Sequence, residues 1–197
     1  MNAPHEDYFH ELLADLQTQS EEFIAVRRDI HQHPEMGYKE YRTSDLVAEQ
    51  LEEWGYAVTR GLGGTGVVGQ LKRGDGGKRL GLRADMDALP IVEANTFGYA
   101  SKRRGVMHAC GHDGHTAMLL AAAKYLAQSA RFSGTLNLIF QPAEEGQGGA
   151  KRMMDDGLFT RFPCDAVFAM HNAPGVPQGH FTVREGPTMA SADNVTI

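Results

Sequence analysis

Two short stretches of this chain concentrate side chains that bind metals or move protons. HACGHDGH (108–115) places three histidines, a cysteine and an aspartate within eight residues. Cys110 and His112 stand two apart, with Gly111 between them to relax the backbone. Thiolate and imidazole are the preferred ligands of zinc-like ions. The same loop puts backbone N–H groups and the positive end of a following helix near an anion. PAEEG (142–146) presents adjacent carboxylates, Glu144 and Glu145, beyond the apolar run TLNLIF (135–140). On extended backbone such neighbours point to opposite sides. One can then bind a metal while the other acts as general base toward water. Alone, the pair reads as a solvated helix start. Beside a Cys/His cluster it reads as chemistry.

His171 closes another apolar run, DAVFAMH (165–171), and ADMD (84–87) follows RLGLR. Asp85 and Asp87 are alternative metal ligands, or carboxylates that hold the second nitrogen of a ligand histidine; Asp87 is read in the holding role. Two patterns are set aside. GLGGTG (61–66) has dinucleotide-type glycine spacing, but a strand-like run follows it where a helix is required. SKRRG (101–105) is too short for a nucleic-acid footprint. Cys164 has no other ligand type nearby and reads as a small apolar filler.

The elements that must carry these residues are legible from periodicity. Apolar residues at helical spacing predict one helix from about 6 to 33, stopped at His33-Pro34 because a residue before proline leaves the helical region. A second helix is predicted over 43–54 and closed by Gly55. Strand-like runs follow at 56–59, 66–71 and 79–85, then a connecting loop over 87–109. The remaining predicted elements are a helix at 115–128, a strand at 135–140, a helix at about 146–157 and a strand at 165–171. The tail from His180 reads as strand and loop. Strands bounded by helices, the later ones apolar throughout, predict an α/β fold: a mainly parallel sheet with helices on both faces, α/β/α in layers. In such sheets ligands bind beyond the carboxyl ends of the strands. Three strands deliver polar groups there.

With 197 residues, 42% of them hydrophobic and 22% charged, the chain has an ordinary globular composition. Its net charge of −6 disfavours nucleic acid and anionic membranes as partners. The first twenty residues lack the basic and apolar regions of a secretory signal, and no apolar run approaches the roughly eighteen residues of a membrane span. Two cysteines are too few for a disulfide framework. A reducing cytoplasm is the expected compartment.

In order and spacing, RRDIHQHPEMGYKEY (27–41), LRADMDALP (82–90), MHACGHDGHTAMLL (107–120), FQPAEEGQGGA (140–150) and AMHN (169–172) resemble the hippurate hydrolase and N-acyl-amino-acid amidohydrolase family. That family sits in the metallopeptidase clan of aminoacylase and carboxypeptidase G. The resemblance implies that Cys110, His112, Glu145 and His171 are metal ligands and that Glu144 is the catalytic base. It places Asp85 where the clan has a histidine ligand, and Asp87 at the aspartate that orients the site. It implies two divalent ions, manganese or zinc, no other cofactor, and a small N-acyl amino acid as substrate. Related readings are a metallo-aminopeptidase or dipeptidase, or an inactive metal-binding fragment. Members are about twice as long, with an inserted lid or dimerisation domain and a last histidine ligand near the C-terminus. Residues 1–190 are therefore expected to be the N-terminal part of the catalytic domain, and 191–197 the first strand of a truncated lid. The fold is expected to be incomplete for the same reason, the full-length form a homodimer, and the 197 residues alone weakly active and prone to associate.

Overall fold

Alternation along the strands divides the interior into two apolar layers. The computed structural model describes residues 4–129 and 132–187. Its elements are α1 (Pro4–Thr18), α2 (Ser20–Gln32), α3 (Tyr41–Glu53), β1 (Ala57–Leu62), β2 (Gly66–Arg73), β3 (Arg79–Asp85), α4 (His112–Ser129), β4 (Gly134–Gln141), α5 (Gly149–Asp155), α6 (Leu158–Arg161) and β5 (Ala166–Ala169). Val67, Leu71, Leu138 and Phe140 face one layer, where they meet Val47, Ala48 and Leu51 of α3 and Leu119, Leu120 and Ala123 of α4. Their neighbours Val68 and Ile139 face the other, against Met153 of α5 and Leu158 of α6. The period of two along a strand does this sorting. Helices thus cover both faces, as the apolar run of β4 requires.

The sheet runs β1-β2-β4-β3-β5. Its β4-β3-β5 part is parallel, while β1 and β2 are antiparallel to each other and β2 is antiparallel to β4. The sheet is therefore mixed, parallel in the part that carries the chemistry. The glycine motif at 61–66 is the turn between β1 and β2, with Gly63 and Gly64 at positive φ; no helix follows it. Asp85 pairs with Gln141, and Arg83 with Ala169. Counting two residues on from Ala169 brings His171 level with Asp85. Three parallel strands end at one edge, with the polar segments just beyond.

Several boundaries differ from the sequence-based expectations. The first helix is two, because Thr18 Oγ1 donates to the Asp15 carbonyl (2.6 Å) and Ser20 Oγ to that of Gln17 (2.8 Å). Such hydroxyl-to-backbone bonds compete with the helical ladder. The helix at 146–157 is shorter and splits at Gly157, whose φ is +87°. The fourth helix begins three residues early, which places His112 and His115 on its first turn. No strand forms over 180–187, and the expected lid strand at 191–197 lies outside the described residues. No helix among the described residues is long and apolar enough to cross a membrane.

The connection from Met86 to Gly111 has no regular element but is pinned. His31 of α2 is buried between two carboxylates, with Nδ1 3.0 Å from Asp113 Oδ2 and Nε2 3.0 Å from Glu93 Oε1. Leu89 and Met107 exchange backbone hydrogen bonds across the loop. The hydrogen bond to Asp113 raises the His31 pKa above its ordinary 6.5; burial opposes this, and Glu93 adds to it. A group whose pKa is raised by folding stabilises the fold below its unfolded value and ceases to as pH climbs through the folded one. Unfolding free energy of the metal-free protein should therefore decline above about pH 6.5 through this pair of contacts. That part of the decline should vanish in His31→Gln. Parallel urea-unfolding profiles for the two proteins from about pH 6 to about pH 9 would contradict the assignment.

Candidate metal centre

His112 is the hub of the site. It opens α4, is fully buried, and sits with Nδ1 3.2 Å from Asp87 Oδ1. Asp87 is itself buried, and its other oxygen accepts the backbone N–H of Glu145 (2.9 Å). With its Nδ1 proton donated to Asp87, His112 turns the Nε2 lone pair outward. Around that atom lie Asp85 Oδ2 (3.6 Å), Glu145 Oε1 (3.8 Å) and Glu144 Oε2 (3.9 Å). On the other side Cys110 Sγ lies 3.4 Å from His171 Nε2. The Cys110, His112 and His171 ligand atoms are all within 4.8 Å of one another, and so are those of His112, Glu144 and Glu145. All five residues expected to bind metal or move protons converge, with Asp87 behind them.

The two glutamates converge by a route the alternation rule did not foresee. They do not point to opposite sides. Ala143 adopts a positive φ of 50°, uncommon for a non-glycine residue, and its N–H is held by buried Glu40 Oε1 at 2.8 Å. Thr65 Oγ1 donates to the other Glu40 oxygen (2.5 Å). The backbone turns here instead of extending, so both carboxylates reach His112. Glu145 is the deeper of the two, its side chain 24% exposed against 41% for Glu144.

Burial and charge act against each other throughout. Burial alone would raise Asp87, but the hydrogen bonds from His112 and from the Glu145 and Glu144 backbone bring it below the usual carboxylate range. Burial likewise opposes ionisation of Asp85, yet His115 and Arg83 hold it at about 2. His112 is raised: burial lowers it, and the Asp87 hydrogen bond with the charges of Asp85, Asp87 and Glu145 outweighs that. The Cys110 thiol is pushed up to about 12 by burial, then by Glu145 and its acidic neighbours. The centre favours positive charge and penalises further negative charge. A divalent cation answers both, and would release the thiol proton.

Two buried atoms test the fit. His112 Nε2 and Glu145 Oε1 have no hydrogen-bond partner among the described residues, although orphaned buried polar atoms are rare and costly. They lie 3.8 Å apart, in the cluster that Glu144, Cys110 and His171 complete. A thiol, two imidazoles and carboxylates there are the donor set of a zinc-like or manganese-like ion. Three contributors escaped sequence reasoning. His115 was inside the motif and lies one turn from His112, a spacing visible only once the helix start is known. Glu40 and Asn172 stand inside blocks already singled out, 27–41 and 169–172, but nothing local gave either a role.

Gly111, between Cys110 and His112, has φ +88°, and a Cβ there would run into the Asn172 side chain. Cys164, half-buried and free, lies instead near Asn137, whose Nδ2 is 3.4 Å from its sulfur.

Residues 81–195 match peptidase family M20/M25/M40. The chain is 55% identical to the hippurate hydrolase of Campylobacter jejuni over 176 residues, 89% of this chain and 46% of that protein. It is 47% identical to thermostable carboxypeptidase 2 of Saccharolobus solfataricus, over 97% of this chain and 49% of that protein. Among solved structures it resembles the Bacillus subtilis YXEP protein, described as a dinuclear metal-binding peptidase of the M20 family. There the TM-score is 0.82 and the identity 39%, covering 87% of this chain and 48% of that one. The chain spans about half the length of the curated relatives it matches.

The contact between the 110–112 turn and Asn172 makes a prediction. Gly111→Ala combines left-handed strain with a collision, and should cost about 1–3 kcal/mol of stability. A urea midpoint equal to that of the wild type would show that the two segments are not packed as described.

Proposed function

The chain belongs to peptidase family M20/M25/M40, and from that premise we propose that it forms the metal-binding half of an amidohydrolase acting on small N-acyl amino acids such as hippurate. The clustering of Cys110, His171, Glu144 and Glu145 about His112, with buried His112 Nε2 and Glu145 Oε1 left without a hydrogen-bond partner, carries this reading. The likeness to a hippurate hydrolase at 55% identity supports the substrate class.

Cys110, His112, Glu145 and His171 would hold two divalent ions, zinc or manganese. When bound, such ions make water acidic enough to lose a proton near neutral pH and polarise an amide carbonyl. Glu144 supplies the proton transfers. Its carboxylate, the more open of the pair and 3.9 Å from His112 Nε2, takes the proton of the attacking water. It then delivers that proton to the amide nitrogen, which leaves as the amine of the amino acid. Glu145, deeper and with an unpartnered oxygen, is suited to the ligand role. Asp87 keeps His112 in the tautomer that offers Nε2, and fixes the backbone of Glu145. A reduced Cys110 is required, which fits a reducing compartment such as the cytoplasm.

The two glutamates separate in experiment. Glu144→Gln in the full-length enzyme should retain its metal and lose hippurate turnover by about 10²- to 10⁴-fold, the usual worth of a positioned proton relay. Glu145→Gln should lose metal as well, read by elemental analysis after dialysis. Metal lost in the first variant and kept in the second would exchange their roles. Undiminished turnover in both would dismiss them.

A further inference from the structure

Asp85 ends β3 fully buried, and His115 sits three residues past His112 on α4. His115 Nδ1–H donates to Asp85 Oδ1 at 2.7 Å. The backbone N–H of Asn172 donates to His115 Nε2 at 3.1 Å. Asp85 is anchored in turn: Arg83 Nη1 lies 2.6 Å from its Oδ2, and Thr116 Oγ1 donates to its carbonyl at 2.8 Å. With Asp85 and His112, His115 forms a cluster of metal-ligand type. Both of its ring nitrogens are nevertheless engaged elsewhere.

The chain of contacts leads to His171. Pairing of β5 with β3 ends at Ala169, and residues 170–175 are exposed. Among the described residues, the hydrogen bonds from 170–175 to the rest of the fold run to His115 and to Cys110. His171 Nδ1 is bonded to the Asn172 carbonyl at 2.7 Å, which leaves Nε2 to face Cys110, and its ring stands 4.6 Å from that of His115. A ligand on an exposed, unpaired segment needs something rigid to aim it.

We infer that Asp85 and His115 form a buried clamp on Asn172 that positions His171 toward the cation, so that both are positioning residues rather than ligands. This rests on the metal reading above. The clamp gives Asp85 work that suits its short side chain. From the end of β3 it orients an imidazole on α4, and that imidazole holds the segment beyond β5.

Cobalt(II) is the probe, because its visible absorption reports both the ligand set and sulfur coordination. Affinity and spectrum are compared for the wild type, His115→Phe, His171→Ala and the double variant. His115→Phe should weaken cobalt binding by about 10- to 100-fold, the usual effect of losing a residue that orients a ligand. Its spectrum should move toward that of His171→Ala. In the His171→Ala background it should cost nothing more, since the ligand it aims is already gone. Should His115→Phe fold poorly with Asp85 left short of a partner, Asp85→Asn/His115→Phe removes that charge and carries the same expectation. Wild-type affinity and spectrum in His115→Phe would overturn the clamp alone. A full additional loss in the His171→Ala background would make His115 a ligand, and equally overturn it. A wild-type protein that binds no cobalt would instead overturn the metal reading, and the clamp with it.

Discussion

The Asp87 carboxylate is the joint on which the site depends. One oxygen takes the Nδ1 proton of His112 at the start of α4, and the other takes the backbone N–H of Glu145 beyond β4. A single buried side chain thereby fixes the orientation of the His112 imidazole and the position of the Glu145 backbone. Asp87 itself follows β3, the strand paired with β4. Remove this carboxylate and the helix, the loop after β4 and the segment after β3 lose their common reference point.

Around the joint the fold gathers more acid than it neutralises. Asp85, Glu144 and Glu145 all lie within 3.9 Å of one imidazole nitrogen, and Cys110 adds a thiol that cannot ionise beside them. Close carboxylates in a shielded site repel strongly unless positive charge lies between them. Arg83 compensates Asp85 alone. The remaining imbalance reads as a cation site rather than a structural ion-pair network, because buried His112 Nε2 and Glu145 Oε1 lie 3.8 Å apart with no hydrogen-bond partner among the described residues.

Much of this was legible in the sequence, for physical reasons that differ residue by residue. Period-two alternation and apolar runs located the five strands among the described residues, and the parallel edge followed from where polar residues succeed them. Cys110 and His112 were conspicuous because two ligand types so close, around a glycine, have little structural use. Asp87 was expected to meet the second nitrogen of a histidine, and its Oδ1 lies 3.2 Å from His112 Nδ1. Other features were beyond reach. The break at Gln19 depends on two hydroxyls turning back on the helix. The turn at Ala143 depends on Glu40, a residue 103 positions away in the chain. The partners of His115 lie at the end of β3 and on the segment beyond β5, both distant in the chain. Local pattern reports which side chains are chemical. It does not report which distant residue bends the backbone beneath them.

Cys110 is proposed to share a cation with imidazole and carboxylate groups at this edge of the sheet. X-ray absorption at the zinc edge, on protein loaded with one equivalent of zinc, tests it most directly. One sulfur neighbour at about 2.3 Å is expected beside nitrogen and oxygen neighbours at about 2.0–2.2 Å, and the sulfur signal should disappear in Cys110→Ser. A wild-type spectrum without sulfur, or a sulfur signal that survives in Cys110→Ser, would remove Cys110 from the site.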